Sequence, residues 1–307
     1  MNTPKKEQNY QIRTMTRDEL VLVVDWAAKE GWNPGLYDVE CFYAADPQGF
    51  LIGLLDGEPI ASISVVKYGM AFGFLGFYMV RPAFRGQGYG MRIWQAGLQY
   101  LQGRTIGLDG VVEQQNNYLK SGFQLAHRNI RYEGMGADKG ASKGTGKGAQ
   151  RKESLLRETL RNDVRLVPLS SVSFETIVDY DRSLFCGERS TFLHCWLSSA
   201  HHIAIGLMHG QTLAGYGVLR PCQQGYKIGP LFADSPQFAE DLFLALRSQV
   251  EPGSPFYLDV PGVNLAAVTL AEKYQMASVF ETARMYAGTM PDLPLAQIFG
   301  ITTFELG

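Results

Sequence analysis

Three short segments recur in the same order along the chain at a nearly constant spacing. Ile52-Gly53-Leu54-Leu55-Asp56-Gly57 returns as Ile205-Gly206-Leu207-Met208-His209-Gly210, Leu108-Asp109 as Leu258-Asp259, and Arg131-Tyr132-Glu133-Gly134 as Met285-Tyr286-Ala287-Gly288, at offsets between 150 and 154 residues. Echoes that preserve order and spacing point to two copies of one fold within the 307 residues. Between the copies the composition shifts. The run from Gly134 to Lys152 is rich in Gly, Ser, Thr and Ala, with Lys139, Lys143, Lys147, Arg151 and Lys152 spread along it. It offers too little apolar area to offset the entropy of ordering it. The expected division is a first domain over residues 1–134, a flexible basic linker over 135–152 and a second domain over 153–307.

The first copy alternates strands and helices. Tyr10 to Met15 reads as a strand, and Thr16 with Glu19 makes a capping box for a helix whose Leu20, Val23, Val24, Ala27 and Ala28 share a face. Gly31 stops that helix, and Trp32-Asn33-Pro34-Gly35 is a turn that fits exposed loop packing better than a pocket wall. Phe50 to Leu55 and Ile60 to Tyr68 form a hairpin around Asp56-Gly57, followed by a strand from Ala71 to Val80. Beyond a glycine-rich turn come an amphipathic helix from Met91 to Leu101, strands at Thr105 to Asp109 and Arg128 to Tyr132, and between these a short helix, Gln114 to Ser121. This is an α/β pattern with a mixed sheet. The first copy has little room for a closing strand before the linker, whereas Ile301 to Leu306 reads as a terminal strand, so one sheet is expected to borrow a strand from the other domain.

The glycine-rich turn is Arg85-Gly86-Gln87-Gly88-Tyr89-Gly90. Glycines at alternate positions let successive amides converge at a helix N-terminus, where peptide dipoles favour a phosphate. A dinucleotide-binding Gly-x-Gly-x-x-Gly is not matched, because Gly86, Gly88 and Gly90 run Gly-x-Gly-x-Gly. The second copy has Gly229-Pro230-Leu231-Phe232-Ala233-Asp234-Ser235-Pro236-Gln237 at this place. Asp234 would repel a pyrophosphate and Pro236 lacks an N–H.

The segment Arg85-x-x-Gly88-x-Gly90, with Tyr118-Leu119-Lys120-Ser121-Gly122-Phe123 downstream, resembles the GCN5-related N-acetyltransferase (GNAT) family. The second half, with Asp181-Arg182, Arg189, Gly229-Pro230-Leu231, Leu258-Asp259-Val260-Pro261 and the closing Phe304-Glu305-Leu306-Gly307, resembles the accessory domain of two-domain members, which implies tandem GNAT folds. The resemblance implies direct transfer of acetyl from acetyl-CoA to an amine. Met79 and Val80 would pair with the pantetheine, and the amides of Arg85, Gly86, Gln87, Gly88, Tyr89 and Gly90 would hold the pyrophosphate. Tyr118 is placed to protonate the leaving thiolate or simply to pack beside it. Asn116 or Asn117 is a candidate for the pantetheine amide. The general base stays open among Asp38, Glu40, Asp109 and Glu113, and the recurrence of Asp109 as Asp259 argues equally for a structural role.

The acceptor expected is a small-molecule amine or an amino acid, enclosed by the second domain. A non-catalytic CoA sensor and a protein lysine or N-terminal acetyltransferase are the alternatives. A net charge of −2 provides no general attraction to nucleic acid or to an anionic membrane. Cys41, Cys186, Cys195 and Cys222 form no Cys-x-x-Cys pair and are expected to be reduced thiols, without zinc, in a cytoplasmic protein. Adjacent His201 and His202 in a strand would point to opposite faces, against a shared metal.

Overall fold

The computed structural model describes residues 9–136 and 163–307, so the expected linker lies outside the described residues except for Met135 and Gly136. The first half runs β1 (Tyr10–Thr14), α1 (Arg17–Lys29), α2 (Asp38–Ala45), β2 (Phe50–Leu55), β3 (Glu58–Tyr68), β4 (Phe72–Val80), α3 (Tyr89–Tyr100), β5 (Thr105–Val111), α4 (Gln115–Lys120) and β6 (Gln124–Met135). The second half repeats the plan with β7 (Val164–Pro168), α5 (Phe174–Arg182), α6 (Ser190–Ser198), β8 (Ile203–His209), β9 (Thr212–Pro221), β10 (Tyr226–Ala233), α7 (Pro236–Arg247), β11 (Pro255–Pro261), α8 (Leu265–Lys273), β12 (Ala277–Ala287) and β13 (Ile298–Gly300). The capping box forms as its spacing predicts: the Glu19 amide donates to Thr16 Oγ1 at 3.2 Å, and the Thr16 amide donates to Glu19 Oε2 at 2.8 Å. Helix α2 carries no comparable signal, because it is short and Tyr37 makes no side-chain cap.

All thirteen strands belong to one sheet, in the order β1-β2-β3-β4-β5-β12-β6-β11-β10-β9-β8-β7, with β13 paired to β10. The two copies have exchanged their last long strands. β12 of the second half lies between β5 and β6, and β6 of the first half lies between β12 and β11. Borrowing is therefore reciprocal, and it uses β6 and β12 instead of Ile301 to Leu306. In the antiparallel β6/β12 pair, Asn129 faces Thr282, whose numbers differ by the repeat offset. An element that meets its own copy marks a pseudo-two-fold axis.

The axis explains several contacts. Asp109 on β5 holds Arg284 on β12 at 2.9 and 2.6 Å, and Asp259 on β11 holds Arg131 on β6 at 2.7 and 2.8 Å. Each recurrent aspartate thus grips an arginine from the other copy's exchanged strand, in geometry that keeps a buried pair satisfied. Cys41 on α2 and Cys195 on α6 are joined in a disulfide with Cα atoms 5.2 Å apart, which corrects the expectation of reduced thiols at these positions. Their separation of 154 residues equals the repeat offset, so pseudo-symmetry brings a cysteine to its counterpart. Cys186 and Cys222 are free. Around this junction one apolar core draws on both halves, with Phe42 and Trp196 stacked at 6.3 Å and Phe77, Phe192 and Phe304 beside them.

The closing segment departs from the strand expected over Ile301 to Leu306. Only Ile298–Gly300 pairs with the sheet, as β13. In the second half β10 and β11 run parallel through Tyr226, Lys227 and Ile228 and then part. β13 fills the gap, pairing on one side with Leu231 and Phe232, while the Ile301 amide donates to the Asp259 carbonyl at 2.9 Å on the other. Residues 301–307 then leave the sheet and stay buried, with the Gly307 amide donating to the Thr303 carbonyl and Tyr68 donating to the Leu306 carbonyl at 3.0 Å. Among the described residues no helix is long and apolar enough to cross a membrane.

Candidate active site

The corresponding gap in the first half is open. β4 and β5 pair in parallel from Phe72 to Leu75 and from Thr105 to Leu108, and then diverge. The β3/β4 register shifts at the same level, Phe77 takes the left-handed region at φ 45°, and its carbonyl accepts from Ser62 Oγ at 2.8 Å. This bulge turns the end of β4 away from its neighbour. A cleft of about 560 Å³ results, lined on one side by Gly76 to Val80 and on the other by Leu108 to Val111.

At its mouth Gly86 (φ 73°) and Gly88 (φ 86°) make the turn into α3, and a Cβ at either would meet nothing within 4 Å. The φ values demand glycine, and the empty space beside the first turn of α3 suits an anionic group. Between the parted strands, freed backbone groups can pair with an extended ligand as with another strand. Met79, Val80, Arg85, Gly86, Gly88 and Gly90 line the cleft as their sequence positions suggest. The Arg85 side chain, half exposed, donates to the Val80 carbonyl at 2.8 Å and to Glu30 at 2.5 Å. Gln87 lies off the lining, its amide donating to the Ala83 carbonyl at 3.1 Å, and the buried Tyr89 accepts through its carbonyl from Tyr10. Asn117 also lies off the lining, donating at 2.7 Å to Gln114, which does line it.

Tyr118 lines the cleft from α4. Its ring stacks on Trp94 at 5.7 Å and lies against Gly110, where a Cβ would come within 2.1 Å of it. Burial, with a smaller push from Tyr78, raises its phenol well above the usual range, so it stays protonated.

Of the four carboxylates considered from sequence, three are paired and the fourth, Glu113, lies off the cleft lining. Asp38 is buried, accepting from Arg220 Nε at 3.1 Å and from the Gly35 amide at 2.9 Å. Glu40 pairs with Arg17 at the surface, Glu113 is exposed, and Asp109 reaches the cleft but is clasped by Arg284. The carboxylate left unpaired is Glu305, from the closing segment, its oxygens buried. It lines the cleft, is 3% exposed, and neither carboxylate oxygen has a hydrogen-bond partner. Its backbone lies against the bulge, where a Cβ on Gly76 would fall 2.1 Å from the Glu305 carbonyl oxygen. Burial raises its carboxyl above the ordinary glutamate value, opposed by Lys227 and Arg131. Lys227 is itself pushed down to about 8, first by burial and then by Arg131.

The second half also supplies Phe280, Thr282 and Phe304 to the cleft, and the first half adds Trp32, which corrects the reading of its turn as exposed packing. The Trp32 carbonyl accepts from Arg131 at 2.8 Å and from Lys227 at 3.3 Å, which draws the turn inward. The sequence marks Phe304-Glu305-Leu306-Gly307 only as a likeness to an accessory domain and not Glu305 as a candidate base, because only the path of the closing segment brings it to Gly76.

The second half's own gap has no comparable loop. β10 runs through Asp234 directly into α7, where Ser235 caps the helix at 3.3 Å from the Phe238 amide, and β13 occupies the space between β10 and β11. His201 stacks on Tyr37 and His202 contacts the Trp196 carbonyl at 2.9 Å. Among the described residues no group of three or more His, Cys, Asp or Glu side chains is arranged to hold a metal ion.

Residues 12–123 match the acetyltransferase (GNAT) family, and residues 177–300 match an acetyltransferase (GNAT) domain. Holothin acyltransferase of Pseudoalteromonas sp. (strain SANK 73390) is 28% identical over 303 residues, covering 99% of this chain and 96% of its own. Among solved structures, a Pyrococcus horikoshii protein provisionally described as an acetyltransferase superposes with a TM-score of 0.75 at 22% identity, covering 100% of this chain and 99% of its own. A tandem GNAT protein from the clavulanic acid biosynthesis pathway superposes at 0.60 and 11% identity, covering 92% of this chain and 100% of its own.

Proposed function

The chain belongs to the GNAT acyltransferase family as a tandem of two such domains, and we propose that it transfers an acetyl group from acetyl-CoA to the amine of a small molecule in the cleft between β4 and β5. The first domain is the catalytic one, and the second is an accessory copy without a pyrophosphate loop. One observation carries the reading: Glu305 and Tyr118 line the same cleft as the glycine turn. Acetyl-CoA supplies a thioester whose carbonyl carbon is open to attack by nitrogen.

Glu305 takes a proton from the incoming ammonium, for which a carboxyl raised above its ordinary value is suited. The freed amine forms the C–N bond as the C–S bond breaks. Tyr118 delivers a proton to the departing sulfur and recovers one from the nitrogen, so that of two protons lost by the ammonium one ends on the thiol and one in solvent. Gly86 and Gly88 leave the turn open for the pyrophosphate, and Met79 and Val80 offer backbone groups to the pantetheine. Similarity to an acyltransferase over nearly the whole chain supports catalysis over a CoA sensor. Walls supplied by both halves favour a small acceptor over a protein lysine or N-terminus. A cytoplasmic setting follows from the donor's supply.

The test combines acetyl-CoA binding with thiol release over an amine panel. Gly88→Asp is expected to abolish binding, and Tyr118→Phe to keep binding while slowing turnover by about 10- to 100-fold. Normal binding by Gly88→Asp would refute the loop assignment, and binding by the wild type without thiol release from any amine would favour the sensor.

A further inference from the structure

Away from the glycine turn, the cleft holds a single uncommitted charge. Among the described lining residues, Glu30 is tied to Arg85, and Asp109 is clasped by Arg284 and also accepts from Asn129 at 2.7 Å. Glu305 alone has no hydrogen-bond partner. Cations stand behind the wall, outside the cleft lining. Arg131 lies 4.6 Å from the Phe304 ring centre and 5.8 Å from that of Phe280, and its donors are taken by Asp259 and the Trp32 carbonyl. Lys227 is buried and donates to that same carbonyl. What faces the acceptor is otherwise neutral: Trp32, Thr282, Phe280 and Phe304, the last two with ring centres 6.0 Å apart.

We propose that the acceptor is a compact primary amine on an uncharged aromatic or heteroaromatic body, its nitrogen at Glu305 and its flat face against Trp32, Phe280 and Phe304. This deepens the acyl-transfer reading and rests on it. A carboxylate or phosphate on the acceptor would find no free cation in the cleft, and a second ammonium would find no second free carboxylate. Either would be buried unpaired, which polar sites reject strongly. Flat rings gain offset or edge contacts with the aromatic wall that a flexible chain does not. The cleft's volume of about 560 Å³ is shared with the thioester arm, which keeps the acceptor small. Amino acids, which carry a carboxylate, are expected to be poor acceptors on this proposal.

The experiment measures kcat/KM by thiol release, with acetyl-CoA and propionyl-CoA as donors, for pairs differing only by a carboxylate. These are phenethylamine against phenylalanine and tryptamine against tryptophan, with spermidine as the polycation. The amines are expected to lead by at least about 100-fold. Phe304→Ala is expected to raise KM for phenethylamine about tenfold while leaving acetyl-CoA affinity unchanged, which also shows that the variant is folded. Phenylalanine, tryptophan or spermidine turned over as well as the neutral-bodied amines would overturn the acceptor assignment and leave acyl transfer standing. Unchanged phenethylamine kinetics in Phe304→Ala would likewise overturn it, and no release from any amine would overturn both readings.

Discussion

Gly110 has no side chain where the ring of Tyr118 lies, and a Cβ there would sit 2.1 Å from the ring. Gly110→Ala must therefore push the phenol out of place, and turnover is expected to fall about tenfold with acetyl-CoA affinity little changed, measured by thiol release and calorimetry. Asp109 meets its partner in a buried bidentate pair with Arg284. Asp109→Asn leaves that guanidinium without a counter-charge, and thermal or urea unfolding should show a loss of about 3–5 kcal/mol. The residues of the glycine turn and Tyr118 were legible in the sequence because they belong to local patterns. Glu305 was not, since Phe304-Glu305-Leu306-Gly307 has no periodicity or ligand spacing and acquires its meaning by meeting Gly76.

At the scale of elements, hairpins and capped helices follow from local sequence, whereas the exchange of β6 and β12 does not. Strand propensity fixes that a segment pairs but not which neighbour it takes. The repeat offset held a clue that went unread: Cys41 and Cys195 differ by 154 residues, as the echoes do, and residues so related can meet at a two-fold axis. His127 on β6 sits at this junction, pushed down to about 4 by burial and by Arg284. Its folded value lies below the unfolded one near ~6.5, so the unfolded chain takes the proton first. The stability it contributes is complete above about pH 6.5 and is lost as pH falls toward about 4. His127→Gln should flatten that part of the stability profile, measured by urea unfolding between pH 7 and pH 4 (~3 units).

The described residues form one sheet with one junction, and neither half closes its share of the sheet alone. Calorimetry is expected to give a single cooperative transition, and residues 1–152 expressed alone should not fold, because β12 is missing between β5 and β6. Two separate transitions would contradict the reciprocal exchange. The two gaps between parted strands have opposite fates. That of the second half is filled by β13, and the chain leading on from it delivers Glu305 to that of the first half. The central claim is that the second half supplies the base for chemistry in the first, and the kcat–pH profile of the wild type against Glu305→Gln tests it most directly. The wild-type rate is expected to rise with pH along a limb set by a carboxyl above its ordinary value. In Glu305→Gln that limb should vanish and kcat should fall by about 100- to 1,000-fold with acetyl-CoA binding intact. A Glu305→Gln enzyme that keeps both the wild-type rate and the limb would contradict the claim.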